Sequence, residues 1–475
     1  MGDASPAWLN RFFPPVAGVD PMLAVGHTFM VVTHDHAIVF LDKNGAVLPT
    51  KAGEPQSPFA ATAFFQRFLD EKNPDGSDNL DCINRYSPHK INEFYDTRVD
   101  YDAVSKRFAI LSAARMGGTK DTRYYAFAVS KSEDPRDGFH QYMTTETNYR
   151  DFPRLTMNGD WLLVAHNAAN TIAADGDRPV LSAYHLPSLQ QGVTDPPNWQ
   201  YYSSDVDGAP RVFLVSHRGS TGGLSFLADI RSDPKFRIAA FSSATQPYLA
   251  PKPIFASHDL ASAAPWPGPF MFYRNKTLYI AGHVTVTDRV PNVQPPRLSI
   301  RTLRFPFTTV SKSQISVDHA AVVDWIFGKN APTDAPGDLV SYDVPGMAVN
   351  KNGDAIYVYG RTGVVTAQPL PPEVRYTVWA HGEGKPRRSA LLQPGEYQPM
   401  WFYDPPDPSS GPATPPETTK TAITHGILKV DYATAVIDAA DDETFWVIHE
   451  YAHTGEPNDQ KYWTTVAGKV SPTLP

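Results

Sequence analysis

An all-β architecture is predicted by three observations on this chain of 475 residues. The composition includes 45 Pro and 31 Gly with 12% aromatic residues, a mix that favours many short strands joined by tight turns. A phrase of Asp, a short apolar stretch and a second Asp or Asn that opens a turn recurs at irregular intervals. Each copy runs into another β-like stretch. Strand, polar turn and strand, repeated in this way, predict a single β-propeller.

The repeated phrase predicts where the blades lie. Its copies are Asp96–Asp102, Asp151–Asn158, Asp343–Asn350 and Asp431–Asp438. Strand-like stretches open seven blades near Met22, Glu93, Tyr149, Pro210, Phe270, Leu339 and Ile427. We therefore expect residues 1–475 to form one seven-bladed domain. Pairing of its N- and C-terminal strands would close the ring and remove open sheet edges.

Three segments depart from the strand pattern. A short amphipathic helix is expected at Ala61–Leu69. The stretch Ala320–Phe327 also looks helical, and it predicts a helical insertion over residues 310–337. Residues 403–420 are rich in Pro, Ser and Thr, which is typical of an exposed surface loop.

Charge and hydropathy exclude several classes of partner. The net charge is -8 and no basic run is present, which argues against nucleic acid as a partner. No stretch approaches the roughly 20 apolar residues of a spanning helix. Cys82 is the single cysteine, so an internal disulfide is excluded. We expect a monomer that binds a small molecule or a glycan.

Three passages of the chain resemble a group of bacterial exported β-propeller proteins, most of which have no assigned function. They are Ala24–Gly45, Asp96–Leu155 and Asp431–Tyr451. The resemblance implies a propeller and a secreted or periplasmic location. The start Met1–Pro6 lacks the charged and apolar regions of a signal peptide, so a mature form is expected. The resemblance implies no catalytic residues.

The repeated Asp residues suggest two different roles. They precede the predicted inner strands, so Asp96, Asp151, Asp343 and Asp431 are expected to ring one rim of the channel. Such a ring is a candidate calcium site, because Ca²⁺ takes six to eight oxygen ligands. The alternative is that each Asp caps a turn by accepting backbone N–H groups. No cofactor other than calcium is expected.

Two pairs of histidines fit metal-site spacings in part. His34 and His36 alternate along a strand and would share one face, but no further ligand stands at a recognisable distance. His449 and His453 match the letters of the zinc-protease pattern His-Glu-x-x-His. The surrounding residues read as a strand, in which residues four apart are separated by about 13 Å. A zinc protease is therefore not expected.

A third group of residues suggests acid–base chemistry. These residues lie near predicted strand ends of blades 2 to 4: His89, Arg98, Arg115, Tyr149, His166, His217 and Arg218. In β-elimination from a uronic acid, Arg neutralises the carboxylate, His or Tyr removes the adjacent proton, and a second such group protonates the leaving oxygen. The alternative is that these residues satisfy hydrogen bonds between blades.

His166 is the central residue of this prediction. It follows the second strand of blade 3, which returns to the rim where the inner strands begin. We therefore expect it near Asp151, Arg98 and Arg115.

Aromatic residues on predicted rim loops would stack on sugar rings. The candidates are Trp199, Tyr201, Trp266 and Trp401. Together these patterns favour a carbohydrate-active enzyme that acts on an acidic polysaccharide or oligosaccharide by elimination. Two alternatives stay open at this point: a calcium-dependent propeller hydrolase of the lactonase or esterase type, and a propeller that binds or scaffolds without catalysis.

Overall fold

The computed structural model describes most of the predicted strands. The residues described are 20–34, 37–49, 51, 59–69, 77, 91–116, 122–144, 153–158, 160–168, 178–202, 211–214, 216–217, 224–230, 235–242, 254–260, 266–286, 297–327, 339–365, 368–396, 433–455 and 460–472.

Seven separate sheets follow one another along the chain, and each is one blade. Blade 1 contains β1 (Met22–Val25), β2 (Phe29–His34), β3 (Ala37–Asp42) and β4 (Phe59–Ala60). Blade 2 contains β5 (Ile91–Asp102), β6 (Arg107–Met116), β7 (Thr122–Ser130) and β8 (Phe139–Met143). Blade 3 contains β9 (Arg154–Met157), β10 (Trp161–Ala168), β11 (Arg178–His185) and β12 (Asn198–Tyr202).

One short strand from the blade 4 segment of the chain joins the sheet of blade 5. The strands from here are β13 (Arg211–Leu214), β14 (Ser216–His217), β15 (Leu224–Ile230), β16 (Lys235–Ser242) and β17 (Ile254–Asp259). They continue with β18 (Trp266–Arg274), β19 (Thr277–Val286), β20 (Arg297–Val310), β21 (Ile315–Val317) and β22 (Val323–Ile326). Blade 4 is β13-β15-β16-β17, whereas β14 pairs in parallel with β18 of blade 5 and β22 pairs with β20.

The last two blades complete the ring. Blade 6 contains β23 (Leu339–Val349), β24 (Ala355–Val365), β25 (Gln368–Trp379) and β26 (Ala390–Gln393). Blade 7 contains β27 (Thr434–Ile437), β28 (Phe445–Gly455) and β29 (Gln460–Val470). The seven-bladed propeller predicted from the sequence is confirmed.

Helical structure is short wherever the chain is described. An α-helical turn at Ala61–Phe64 is followed by a 3-10 turn at Gln66–Phe68, as predicted, and a further helix spans Leu186–Gln190. Within the described ranges, no helix is long and apolar enough to cross a membrane.

The first strand of each blade is the inner strand, and these seven strands contact one another in a closed ring. The order is β1, β5, β9, β13, β18, β23 and β27, which returns to β1. The predicted pairing of the N- and C-terminal strands stays a prediction, because residues 1–19 lie outside the described residues. In the described part of the chain, β1 pairs with β2 and β29 pairs with β28, and no sheet contains both terminal strands. Blades 7 and 1 meet instead by packing of side chains.

The core is divided among the seams between blades. Each blade is a twisted sheet with two buried faces. One face packs on the preceding blade and the other packs on the following blade. At the closing seam, Trp446 and Ile448 of β28 pack on Leu23, Val25 and neighbouring residues of blade 1. Burying one such large apolar side chain contributes about 1.5–3 kcal/mol.

The second Asp or Asn of the repeated phrase caps the turn between the inner strand and the second strand. We call this end of the propeller the lower end, and the end where the inner strands begin the upper end. The turn amides bond to the side-chain oxygens: Ser105 N to Asp102 at 2.9 Å, Trp161 N to Asn158 at 2.9 Å, Asn352 N to Asn350 at 3.0 Å and Ala440 N to Asp438 at 2.9 Å. The predicted turns are confirmed in all four copies.

The predicted helical insertion over residues 310–337 is wrong where the chain is described. Residues Ile315–Val317 and Val323–Ile326 form strands, and only His319–Ala321 makes one 3-10 turn. The alanines favour a helix locally, but Trp325 and its neighbours pair with β20 of blade 5. Tertiary pairing overrides the local propensity here. The predicted loop at 403–420 lies outside the described residues.

Candidate functional site

Buried polar side chains are concentrated in the upper halves of four consecutive blades. They are Thr33 and His34 in blade 1, Asp96, Thr97, Arg98 and Ser112 in blade 2, Ser341 in blade 6, and His449 and Glu450 in blade 7. The half-buried Arg154 continues the set into blade 3. We call these residues the upper arc. It spans blades 6, 7, 1, 2 and 3, whose lower ends contain the buried turn residues Asp102, Asn350 and Asp438.

A bulge in β5 shapes the upper arc in blade 2. The pairing register with β6 shifts between Tyr95 and Arg98, and Asp96 takes the left-handed conformation with φ 52°. Thr97 then turns its hydroxyl to Ser112 at 2.8 Å. Its carbonyl accepts a hydrogen bond of 3.0 Å from the Thr33 hydroxyl of blade 1. The bulge is thus tied to the neighbouring blade.

Two arginines occupy the same position in neighbouring inner strands. Arg98 stands four residues before the turn residue Asp102, and Arg154 stands four residues before Asn158. The Arg98 Nε donates to the Pro153 carbonyl at 3.2 Å, and a guanidinium nitrogen lies 3.7 Å from Asp96. Arg98 is 1% exposed, whereas Arg154 is half-buried. Two arginines thus stand on neighbouring inner strands, and the side chain of Arg98 is the more deeply buried.

Arg115 lies at the upper end of β6 in the same blade. Its guanidinium stacks over the Tyr95 ring at 4.4 Å from the centroid. Such cation–π contacts hold a guanidinium face and leave its edge available for hydrogen bonding. Arg98 and Arg115 thus lie on paired strands of blade 2, and their common role stays a prediction.

A second bulge lies in β23, the inner strand of blade 6. Its register with β24 shifts between Asp343 and Gly346, and Val344 has φ 42°. A β-branched residue in this region is strained, and Pro345 restricts it further. A side chain at Gly346 would meet the Thr434 backbone carbon at 2.9 Å, so only glycine allows this approach of β27. Backbone strain of this kind often marks functional positions.

His449 and Glu450 of β28 are both fully buried. The His449 Nε2 lies 3.2 Å from the Val344 carbonyl, which can only accept, so this nitrogen donates. The other ring nitrogen, Nδ1, lies 2.7 Å from the Glu450 amide nitrogen and 2.9 Å from the Glu450 carbonyl oxygen. Glu450 follows Trp446 and Ile448 on the face toward blade 1, and His34 follows Met30 and Val32 on the facing strand. Both ionisable residues thus extend the closing seam toward the upper end.

Blade 6 adds a charged group beside the bulged strand. Glu373 of β25 is 8% exposed and lies 3.4 Å from Arg361 and 3.0 Å from Arg375. This carboxylate between two guanidinium groups is balanced within the blade. Its contacts indicate a structural role.

The described residues include only part of the predicted catalytic set. His166 lies in β10, where its neighbour Ala165 pairs with Arg154, so the predicted position at the upper end of blade 3 is confirmed for the backbone. His217 lies in β14, which belongs to the sheet of blade 5. The side chains of His166 and His217 are not among those described, and His89, Tyr149 and Arg218 lie outside the described residues.

The predicted calcium ligands are distributed differently from the expectation. Asp96 and Asp343 were expected before the inner strands, but they lie within β5 and β23 at the two bulges. Asp151 and Asp431 lie outside the described residues. Across the described ranges, no three His, Cys, Asp or Glu side chains are arranged to hold a metal ion. The calcium site stays a prediction.

The predicted sugar-stacking residues also differ in placement. Trp199 lies in β12, the outermost strand of blade 3, and not on a rim loop. It is 5% exposed and packs between Trp161 and Phe241, with ring centroids 5.7 Å and 6.0 Å away, so it belongs to the seam with blade 4. Tyr201 and Trp266 lie in β12 and β18, and Trp401 lies outside the described residues.

Sequence reasoning missed the bulges and Glu450. A bulge adds one residue to a strand, and the alternation of apolar and polar residues near Tyr95 and Val344 does not reveal it. The usable signals were Pro345 and Gly346, which interrupt an apolar stretch. Glu450 was examined only as part of a zinc-binding pattern.

No protein-family model matches the chain, and no curated protein sequence matches it. Among solved structures, the polysaccharide lyase Uly1 aligns with 86% of this chain and 95% of its own, at 11% identity and a TM-score of 0.37. An α-L-arabinofuranosidase, Arb93A from Fusarium graminearum, aligns over 68% of this chain and 94% of its own, at 15% identity and a TM-score of 0.31. The α-L-arabinofuranosidase PaAbf62A from Podospora anserina aligns over 62% of this chain and 87% of its own, at 11% identity and a TM-score of 0.29. Similarities of this size carry no information about the activity of this chain.

Proposed function

We propose that the protein is a carbohydrate-active enzyme that cleaves an acidic polysaccharide or oligosaccharide by β-elimination. The observation that carries the proposal is the equivalent placement of Arg98 and Arg154 in neighbouring inner strands of the upper arc. A uronate carboxylate is the substrate group that this arrangement suits, because a planar guanidinium binds it with two parallel hydrogen bonds.

The two arginines would share the task of charge neutralisation. Arg154 is half-buried and would contact the carboxylate directly, whereas the buried Arg98 would add positive potential from behind. Neutralising the carboxylate acidifies the hydrogen on the adjacent carbon. Preorganised charge of this kind acts on the transition state, where negative charge develops on the carboxylate.

His166 is the proposed base, because it follows the residue that pairs with Arg154. The base removes the proton next to the carboxylate, and the released electron pair forms a carbon–carbon double bond. The bond to the glycosidic oxygen breaks at the next carbon, and that oxygen takes up a proton from a second His or Tyr. The products are an unsaturated uronate and a new sugar hydroxyl.

The direct test offers uronate-containing polymers to the purified protein and follows the ultraviolet absorbance of the unsaturated product. Turnover of at least one acidic polymer, with none of its neutral counterpart, is the expected result. Cleavage that yields reducing ends without this absorbance would point to hydrolysis instead. Activity that disappears with a chelator and returns with Ca²⁺ would favour the calcium-dependent alternative. If no polymer is cleaved, the propeller is a binding or scaffold protein.

A further inference from the structure

Two of the inner strands with a shifted register, β5 and β23, are each held by a hydrogen bond from a neighbouring blade. Thr33 of β2 donates to the Thr97 carbonyl in blade 2 at 3.0 Å. His449 of β28 donates to the Val344 carbonyl in blade 6 at 3.2 Å. Blades 7 and 1 lie between the bulged blades, so each middle blade holds the bulge on its outer side. Thr33 and His449 are both 0% exposed.

These hydrogen bonds act where the backbone is least regular. A bulge takes a residue out of the regular ladder, and its carbonyl must find another donor. Val344 is also strained by its positive φ next to Pro345. Such a conformation persists only when its surroundings fix it. Here blade 7 fixes it at two points: His449 of β28 bonds to the Val344 carbonyl, and the backbone of Thr434 in β27 lies against Gly346.

The position of His449 requires an imidazole, or another side chain that places a hydrogen-bond donor where Nε2 lies. Its second ring nitrogen lies 2.7 Å from the Glu450 amide nitrogen and 2.9 Å from the Glu450 carbonyl oxygen, and these contacts orient the ring while Nε2 donates to Val344. The letters His449-Glu-x-x-His453 thus acquire a role that involves no metal. The first His of the pattern holds an inner strand of the adjacent blade.

We propose that Thr33 and His449 are positioning residues that set the shape of the channel wall on the two sides of the upper arc. They touch no substrate. Through the bulges they fix the height of Asp96 and Arg98 in blade 2 and of the strand start in blade 6. The expected effect on substrate turnover rests on the proposed elimination activity. The expected effect on the backbone at the bulges does not depend on that activity.

The test uses matched variants of His449. His449→Gln keeps an amide donor at the position of Nε2, whereas His449→Met has similar length and no donor. We expect His449→Met to raise the hydrogen-exchange rate of the amides of residues 342–344 and 346 about 10- to 100-fold, the effect of leaving a buried carbonyl without its donor. His449→Gln is expected to restore most of the protection. On a uronate oligosaccharide, kcat should fall about tenfold in His449→Met, with KM changed less.

Thr33 gives an independent pair, Thr33→Val and Thr33→Ser, read at amides 95–99. Thr302→Val is the control, because it removes a buried bond of 2.7 Å to the Tyr357 hydroxyl and leaves the bonds to the Val344 and Thr97 carbonyls in place; Tyr357 pairs with Met347, so position 347 is left out of the readout. We expect this control to lower the thermal stability. Hydrogen exchange at the two bulges and the value of kcat/KM should both stay equal to those of the wild type. The proposal is wrong if His449→Met and His449→Gln behave alike, or if Thr302→Val has the same effect on kcat.

The two arms separate this proposal from the proposed function. If the wild-type protein cleaves no uronate but exchange at the bulges responds to the variants, the positioning role holds and the elimination activity fails. If cleavage is found and exchange is unchanged in both donor-free variants, the positioning role fails alone.

Discussion

The upper and lower ends of the same strands follow different rules. At the lower end, Asp102, Asn158, Asn350 and Asp438 cap four turns in the same way, with side-chain oxygens bonded to backbone amides. At the upper end, neighbouring blades differ: the inner strands β5, β18 and β23 shift register, and buried His, Glu and Arg side chains lie in blades 1, 2 and 7. The repetition therefore belongs to folding, and the deviation from it marks the candidate site.

The largest expected effect tests whether the upper end carries the chemistry. His166→Ala should lower elimination of uronate polymers by about two to four orders of magnitude, the usual contribution of an acid–base group. Thermal unfolding should stay close to wild type, because the residue lies near the end of β10. Initial rates and a melting curve on the same preparation measure both. Wild-type activity in this variant would remove His166 from the proposed mechanism.

The next effect concerns the carboxylate contact. Arg154→Gln should lower turnover of a uronate polymer about 100- to 1000-fold, because a preorganised charge at the developing anion is lost. Arg107→Gln is the matched control, since Arg107 is a half-buried arginine at the lower end of β6. Its activity should equal that of the wild type. Equal losses in the two variants would mean that general electrostatics, and not the upper arc, governs the rate.

A third comparison measures the lower end by stability. Asn350 is fully buried and accepts the amides of Asn352 and Asp354 at 3.0 Å and 2.9 Å. Asn350→Ala should cost about 2–3 kcal/mol of unfolding free energy, since each buried hydrogen bond contributes about 1 kcal/mol. The exposed Asn352→Ala should stay within about 0.5 kcal/mol. Denaturant melts measure the difference, and uronate turnover below the melting range should be unchanged in both variants.

The smallest effect is a pH dependence confined to a lower-end turn. Burial opposes ionisation of Asp134, but hydrogen bonds from Arg136 and from Lys51 outweigh it and lower its pKa to about 2. A folded-state pKa below the unfolded value means that the stabilisation is present above about pH 4 and is lost as the pH falls toward about 2. Asp134→Asn should flatten the stability profile in this window. An unchanged acid limb would assign the loss to other groups.

The blade order could be predicted because turn chemistry is local. The Asp and Asn that cap the lower turns act within two to four residues, so their pattern is visible in the sequence. The upper end depends on contacts between blades. The bond from His449 to Val344 joins residues 105 positions apart, and the bond from Thr33 to Thr97 joins residues 64 apart. No local pattern announces either one.

The wrong predictions have the same cause. Trp199 was predicted to lie on a rim loop and to stack on sugar rings, yet it completes the packing between blades 3 and 4. Residues Val323–Ile326 looked helical, yet an available edge of β20 recruits them as a strand. In both segments the partner lies in another part of the chain. Periodicity alone gives no information about such a partner.

Two turns at the lower end affect how fast the protein deamidates during storage. Both contain an Asn followed by Gly, at Asn44 and at Asn352, the sequence in which the next backbone nitrogen most readily attacks the side-chain amide. Asn is a thermolabile residue for this reason. In both turns, however, the Gly nitrogen already donates a hydrogen bond of 3.0 Å, to the Asp42 or the Asn350 carbonyl. Deamidation should therefore be slow in the folded protein and fast after unfolding, which peptide mass spectrometry of stored samples would reveal.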